Sequence, residues 1–279
     1  MISEINNKVF LNKIKNNNYD IQEFYNNLNI IENRKQKRLI YKFTNDEAIF
    51  SDLLSHTQSL FNSYLFKIVD LNCGLISSIN SKSFSASIVI SRTIFETISM
   101  VFYINSKLEN WLKTNNYFEI YKLLANFSVG IGAVDEIVNY KRIHVNDAIR
   151  FFAEEILNFD KKKKDFDKLY LEMYSRMSEL SHPAPTSLLV YQNEYVERNE
   201  FNNKKINSFS TQSERFQSIF WMITHTFSLL KIFNLILFES DDFKIIKDLK
   251  DKKSNIVNFY KFNSEEKKKL ASLFKNKIF

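Results

Sequence analysis

Glycine and proline almost vanish from this chain, which has three of the first and two of the second among 279 residues. Folds with many tight turns need the positive backbone angles that glycine supplies and the rigid corners that proline sets. β-Sandwiches and collagen-like chains are thereby excluded. Long helices joined by few turns remain. Apolar residues make up 44% of the chain and charged residues 25%, enough to build a core and too apolar for a disordered polymer. The expected fold is all-α: a helical bundle with a long central buried helix and additional C-terminal helices. The lone Cys73 rules out an intrachain disulfide and a multi-cysteine zinc site, and points to a reducing, cytoplasmic compartment.

Periodicity divides the chain into an N-terminal helical segment over 1–45, a bundle core over 46–239 and basic C-terminal helices over 240–279. Over 46–79, apolar residues such as Phe50, Leu53, Phe61, Leu65 and Leu75 recur at helical spacing. Asn80-Ser81-Lys82-Ser83 supplies a break and a capping serine. A second helix then runs to about residue 105, apolar all round, and is the expected central helix. Further helices are predicted at 109–127, 133–140, 146–158 and 166–181, with a bend at Gly130 and Gly132. His182-Pro183-Ala184-Pro185 ends the last of these, because a residue before proline is driven out of the α region. Residues 186–207 read as a loop. Thr211-Gln212-Ser213-Glu214 has the form of a capping box opening a helix to about 238, and Ser240 and Ser264 are placed to cap two shorter ones.

Two stretches are apolar enough to raise the question of a membrane, 86–104 and 221–238. The first holds Arg92 and Glu96, the second His225 and Lys231. A charge near the middle of a lipid-facing span is costly, so both read as buried bundle helices and no membrane association is expected. The formal net charge is +7, and 244–279 carries all of it, with eleven lysines against four acidic residues. Such an end can lie along phosphates or form a solvated helix face. Gly-rich phosphate loops, paired-cysteine motifs and H-E-x-x-H are absent. His56 and His225 fit core or boundary positions better than ligand positions, and neither a metal nor another cofactor is expected.

Two constellations could carry chemistry. Arg92 and Glu96 stand four residues apart on one face of the central helix and should meet, and burying such a pair calls for further polar partners. It reads either as an ion pair fixing helix register or as part of a site. The second is Tyr174-Ser175-Arg176-Met177-Ser178-Glu179-Leu180-Ser181-His182-Pro183, at a helix end. On an ideal helix Arg176 and His182 are about 120° apart around the axis. Pro183 can draw His182 off the helical path and back over the last turn, where Glu179 lies three residues from each. The helix C-terminus and Glu179 would both favour the imidazolium.

An arginine, five residues and a histidine near a helix end resemble the signature of the HEPN ribonuclease superfamily. Its members are helical bundles that act mostly as metal-independent RNA endonucleases in toxin–antitoxin and antiviral systems, often with two protomers forming one composite site. The resemblance implies that His182 moves the proton as a ribose 2′-hydroxyl attacks the adjacent phosphate, and that Arg176 stabilises the charge on phosphorus. It also implies RNA as substrate, a homodimer, and an antitoxin or defence partner. The chain is also similar to bacterial helical proteins that pair an R-x-x-x-E helix with an S-x-x-x-H-P helix end, here Arg92 and Glu96 with Ser178, His182 and Pro183. That likeness implies one cavity, in which Arg92 and Glu96 support the reaction and Tyr174 and Tyr191 stack on a base. Two alternatives stay open: a noncatalytic helical module that binds nucleic acid or a protein, and a small-molecule or nucleotide-modifying enzyme.

Overall fold

A computed structural model of the chain describes residues 2–35, 48–129, 144–159, 166–181, 208–239 and 242–262. Among these residues the fold is all-α, with ten helices and one minimal β-ribbon. The helices are α1 (Lys8–Asn16), α2 (Ile21–Arg34), α3 (Ala48–Asn80), α4 (Phe84–Lys113), α5 (Tyr117–Val129), α6 (Val145–Phe159), α7 (Phe166–Ser181), α8 (Ser208–Leu237), α9 (Lys244–Asp251) and α10 (Lys253–Phe262). The ribbon, β1 (Phe238–Glu239) against β2 (Asp242–Phe243), is antiparallel and pairs Phe238 with Phe243.

Chain contacts resolve two units, each gathered from three stretches: Met1–Ile31, Ile68–Ser99 and Ile149–Asn234 in the first, Glu32–Lys67, Met100–Ala148 and Leu235–Phe279 in the second. In the first, Phe227 of α8 stacks on Phe24 of α2 at 3.9 Å between ring centroids and meets Phe10 of α1 edge-on at 6.4 Å. Asn7 places α1. Its side-chain oxygen accepts from the amides of Val9 and Phe10, while its Nδ2 donates to the Ile79 carbonyl at 2.8 Å, so one buried amide caps α1 and ties it to the end of α3. In the second unit Phe243 sits 4.8 Å from Phe61 and 4.4 Å from Phe238, and the Arg34 guanidinium covers Phe238 at 4.0 Å.

How such long helices end with so little glycine has a concrete answer. Asn18, Lys82 and Asn115 take positive φ angles of 52°, 58° and 55°. Each follows a helix end in the same way: the amide after it reaches back five residues, Tyr19 to Ile14, Ser83 to Ser78 and Asn116 to Trp111. These are Schellman closures, in which glycine is the usual left-handed residue. Asparagine tolerates that backbone, whereas a lysine pays its Cβ clash in full. Lys82→Gly is therefore expected to raise stability by about 0.5–1 kcal/mol, the relief of the clash exceeding the added freedom of the unfolded chain. Urea unfolding measures it, and a loss would show that the lysine side chain contributes more than its backbone costs.

Beyond that closure α3 turns directly into α4, and the buried hydroxyls of Ser78 and Ser87 meet at 2.8 Å. α4 is the long apolar helix anticipated, but it runs to Lys113 rather than to about 105. Asn105 explains the difference. Its amide donates to Glu109 at 2.7 Å, one turn on, so a residue that resembles a helix stop props the helix instead. The real break is at 114–116, where Asn115 turns left-handed and accepts from the Tyr117 hydroxyl at 2.8 Å. α8 likewise begins at Ser208, three residues ahead of the capping box read at Thr211, which lies inside the helix. The bend at Gly130 and Gly132, the helix at 133–140, the loop at 186–207 and the cap at Ser264 fall outside the described residues, as does Ser240 itself; α9, the helix after it, starts at Lys244 with Phe243 rather than Ser240 at its N-cap.

Among the described residues two helical stretches, Ser85–Lys113 and Ile219–Leu237, are long and apolar enough to cross a membrane, and 61% and 56% of their most apolar windows are buried inside the protein. In the basic end, Lys247 pairs with Glu239 at 2.8 Å and Lys250 with Asp242 at 3.3 Å. Lys253 sits 5.8 Å from the Phe50 ring centroid.

Candidate functional site

Arg92 and Glu96 face one another across a turn of α4, and the Arg92 Nε donates to Glu96 Oε1 at 2.8 Å. The partner their partial burial calls for comes from α7. The Tyr174 hydroxyl donates to the same Oε1 at 2.9 Å and accepts from an Arg92 terminal nitrogen at 3.4 Å, closing a three-membered polar ring. Side-chain exposures of 22% for Arg92 and 25% for Glu96 leave the cluster at the surface of its unit rather than sealed within it. Desolvation works against the Arg92 charge. The hydrogen bonds to Tyr174 and Glu96 and the carboxylate's charge outweigh it and hold the guanidinium above its ordinary value.

Beneath the cluster lies an aromatic floor. Phe95, next to Glu96 and fully buried, lies nearly parallel to Tyr174 at 6.1 Å and to Tyr170 at 5.8 Å, and meets Phe152 of α6 edge-on at 5.9 Å. Tyr170, Met173 and Met177 are buried along α7 at helical spacing, so this helix presents an apolar stripe with Tyr174 at its edge. Positions i and i+2 are about 200° apart around a helix. The face that meets Arg92 through Tyr174 is therefore not the face that carries Arg176, and Arg176 is exposed, as is Glu179. Ser178 is half-buried, and the Ser181 hydroxyl closes onto the Met177 carbonyl at 2.6 Å.

Sequence reasoning anticipated the meeting of Arg92 with Glu96. It placed Tyr174 in the same cavity as a base-stacking residue, whereas the structure gives its hydroxyl a bond to Glu96 and its ring a place beside Phe95. His182, Pro183 and Tyr191 lie outside the described residues. What was missed is the aromatic floor, whose only trace in the sequence is the i, i+4 spacing of Tyr170 and Tyr174. Among the described residues no three His, Cys, Asp or Glu side chains come together as a metal site would require.

Burial pushes the Tyr170 phenol well above its ordinary value of 10.0, and pushes Tyr19, on the turn before α2, up to about 12. A raised folded value means that the folded chain keeps protons which the unfolded chain gives up. The associated stability is whole below pH 10 and is lost as pH rises toward 12. The urea midpoint is accordingly expected to fall between about pH 10 and about pH 12, and the fall should be shallower in the Tyr19→Phe, Tyr170→Phe double variant. None of the known protein families matches this chain, and neither a curated protein nor a solved structure is significantly similar to it.

Proposed function

We propose that the protein is a metal-independent, HEPN-like endoribonuclease of a bacterial or phage conflict system, working in the cytoplasm. The observation that supports this reading best is the position of Arg176, exposed on the last turns of α7 and six residues ahead of His182. A phosphate can reach that guanidinium from solvent. In this reading His182 takes the proton from a ribose 2′-hydroxyl, the 2′-oxygen attacks the adjacent phosphorus, and the 5′-oxygen of the next nucleotide leaves with a proton returned by the His182 imidazolium. The products are a 2′,3′-cyclic phosphate and a 5′-hydroxyl end. Arg176 neutralises the charge that builds on the nonbridging oxygens, and Glu179, on the same exposed side of α7, favours the imidazolium. Arg92, Glu96 and Tyr174 brace the helix that carries the pair, and Tyr191 stacks on a base. A second protomer completing the site accords with the same reading.

The deciding experiment incubates purified protein with single-stranded RNA in EDTA and maps the ends. Cyclic phosphates are expected, and intact RNA or cleavage that requires added divalent ions would overturn the proposal.

The closed ring of Arg92, Glu96 and Tyr174 favours a second reading, a noncatalytic interaction module in which that cluster is architecture. Removing the shared acceptor takes a hydrogen bond from each of two donors. On this reading Glu96→Ala is expected to lower stability by about 1.5–3 kcal/mol while the folded fraction binds its partner unchanged. If the variant melts like the wild type, the cluster is not holding the helices.

A further inference from the structure

In the first unit α8 and the turn between α1 and α2 line a cleft of about 280 Å³, whose His225 also meets Tyr170 of the aromatic floor at 6.5 Å between ring centroids. Its walls are aromatic and amphipathic. Trp221 and His225 stand one helical turn apart with ring centroids at 4.3 Å and planes tilted by 40°, so two aromatic rings in contact border the cleft. Tyr19 borders the cleft, Thr224 is buried within it, and Asn17 and Ser228 stand exposed at its rim. Asn17 is fixed by its side-chain bond to the Lys13 carbonyl at 2.8 Å, and Thr224 by its hydroxyl on the Phe220 carbonyl at 3.0 Å. The turn is further held by the left-handed Asn18 and the Tyr19–Ile14 bond that follows it, so the wall is pre-formed.

We propose that this cleft binds a free, uncharged nucleobase or nucleoside, a site separate from the RNA-cleaving residues and independent of that activity. Three properties select the ligand. The volume lies just below the usual range of drug-sized ligand sites, about 300–1,000 Å³, which fits a base with or without its sugar and leaves little room for more. A ring surface of tryptophan and histidine favours a planar π-system over a sugar or an acyl chain. The charge balance disfavours phosphates: among the described residues no Lys, Arg, Asp or Glu side chain lines the cleft, and the carboxylates of Asp20 and Glu23, the latter paired with Lys231 at 2.6 Å, act on Tyr19 at its edge. Asn17, with a second amide hydrogen and a carbonyl acceptor, offers the hydrogen bonds that the edge of a base requires, while the Ser228 hydroxyl donates to the Thr224 carbonyl at 3.2 Å and holds the rim.

The two tryptophans are Trp111 and Trp221, so the Trp111→Phe chain reports on the cleft alone. Its fluorescence is titrated with adenosine, uridine, their 5′-monophosphates and a short single-stranded oligonucleotide. Saturable quenching by a nucleoside is expected, with its monophosphate weaker. Ser228→Phe and Asn17→Phe each fill the mouth from an exposed position and should abolish the response, and His225→Ala should weaken it about tenfold. In parallel, the Trp221 indole NH resonance should shift on titration, a readout that needs no change in the cleft itself. Absence of both signals, or quenching that survives both filling variants, would overturn the proposal. So would tighter binding of a monophosphate, which requires a cation that the described lining of the cleft does not include, or binding of the oligonucleotide alone, which would make the surface part of an RNA path.

Discussion

His182→Ala is expected to reduce RNA cleavage in EDTA by about 10²–10⁴-fold, the usual worth of a positioned acid–base group, with the unfolding midpoint unchanged. The residue follows α7 immediately and precedes Pro183, so the variant leaves the buried stripe of Tyr170, Met173 and Met177 intact. A stability assay beside the cleavage assay separates lost chemistry from lost fold. Arg176 supplies the paired control. Because it is exposed, Arg176→Ala should keep the melting behaviour and lose about 10²–10³ in rate, with Arg176→Lys recovering part of that loss. Undiminished cleavage by the histidine variant would remove the enzyme from consideration and leave the interaction module standing.

The largest effect on stability is expected at Phe95→Ala, about 3–5 kcal/mol, the cost of deleting a fully buried ring from a packed site. Phe95 is the hub of the aromatic floor, with Phe152, Tyr170 and Tyr174 all within about 6 Å of its centroid. The loss should be read by urea unfolding, where a shifted midpoint at constant slope identifies a change in the folded state. Phe95→Leu, which keeps most of the volume, should lose clearly less. Because Tyr174 rests beside Phe95, the alanine variant should also loosen the hydroxyl that holds Glu96. Combined with Glu96→Ala, the two losses should then sum to less than their separate values. Strict additivity would mean that the floor and the polar ring stand independently.

Much of the fold is legible because helix and core are written in spacing. The apolar repeat through α3, the breaking run at Asn80–Ser83 and the span of α7 all follow from side chains that local rules already constrain. Asn105 and Thr211 show where those rules stop. Each looks like a helix boundary by residue type, yet Asn105 finds an acceptor one turn on, and Thr211 is preceded by residues that extend the helix. The ribbon pairing Phe238 with Phe243 was not legible at all, since four residues of strand offer no period, and the side chains packed on the two rings, Phe61 and Arg34, come from elsewhere in the chain. For the site, the i, i+4 pair was readable and its third member was not: Tyr174 is 78 residues from Glu96, and only packing of α7 on Phe95 brings it there.

Each unit is stitched from three separated stretches, and this has a consequence for how the molecule is made. A ribosome must translate beyond Asn234 before the first unit owns all its parts, and the second still lacks its final stretch at that moment. Aromatic surfaces such as those of Phe10 and Phe24 thus emerge more than 190 residues ahead of Phe227, the ring that covers them. Nascent chains should therefore depend on holdase chaperones through most of synthesis, and excising either unit by a single cut should yield no stable fragment.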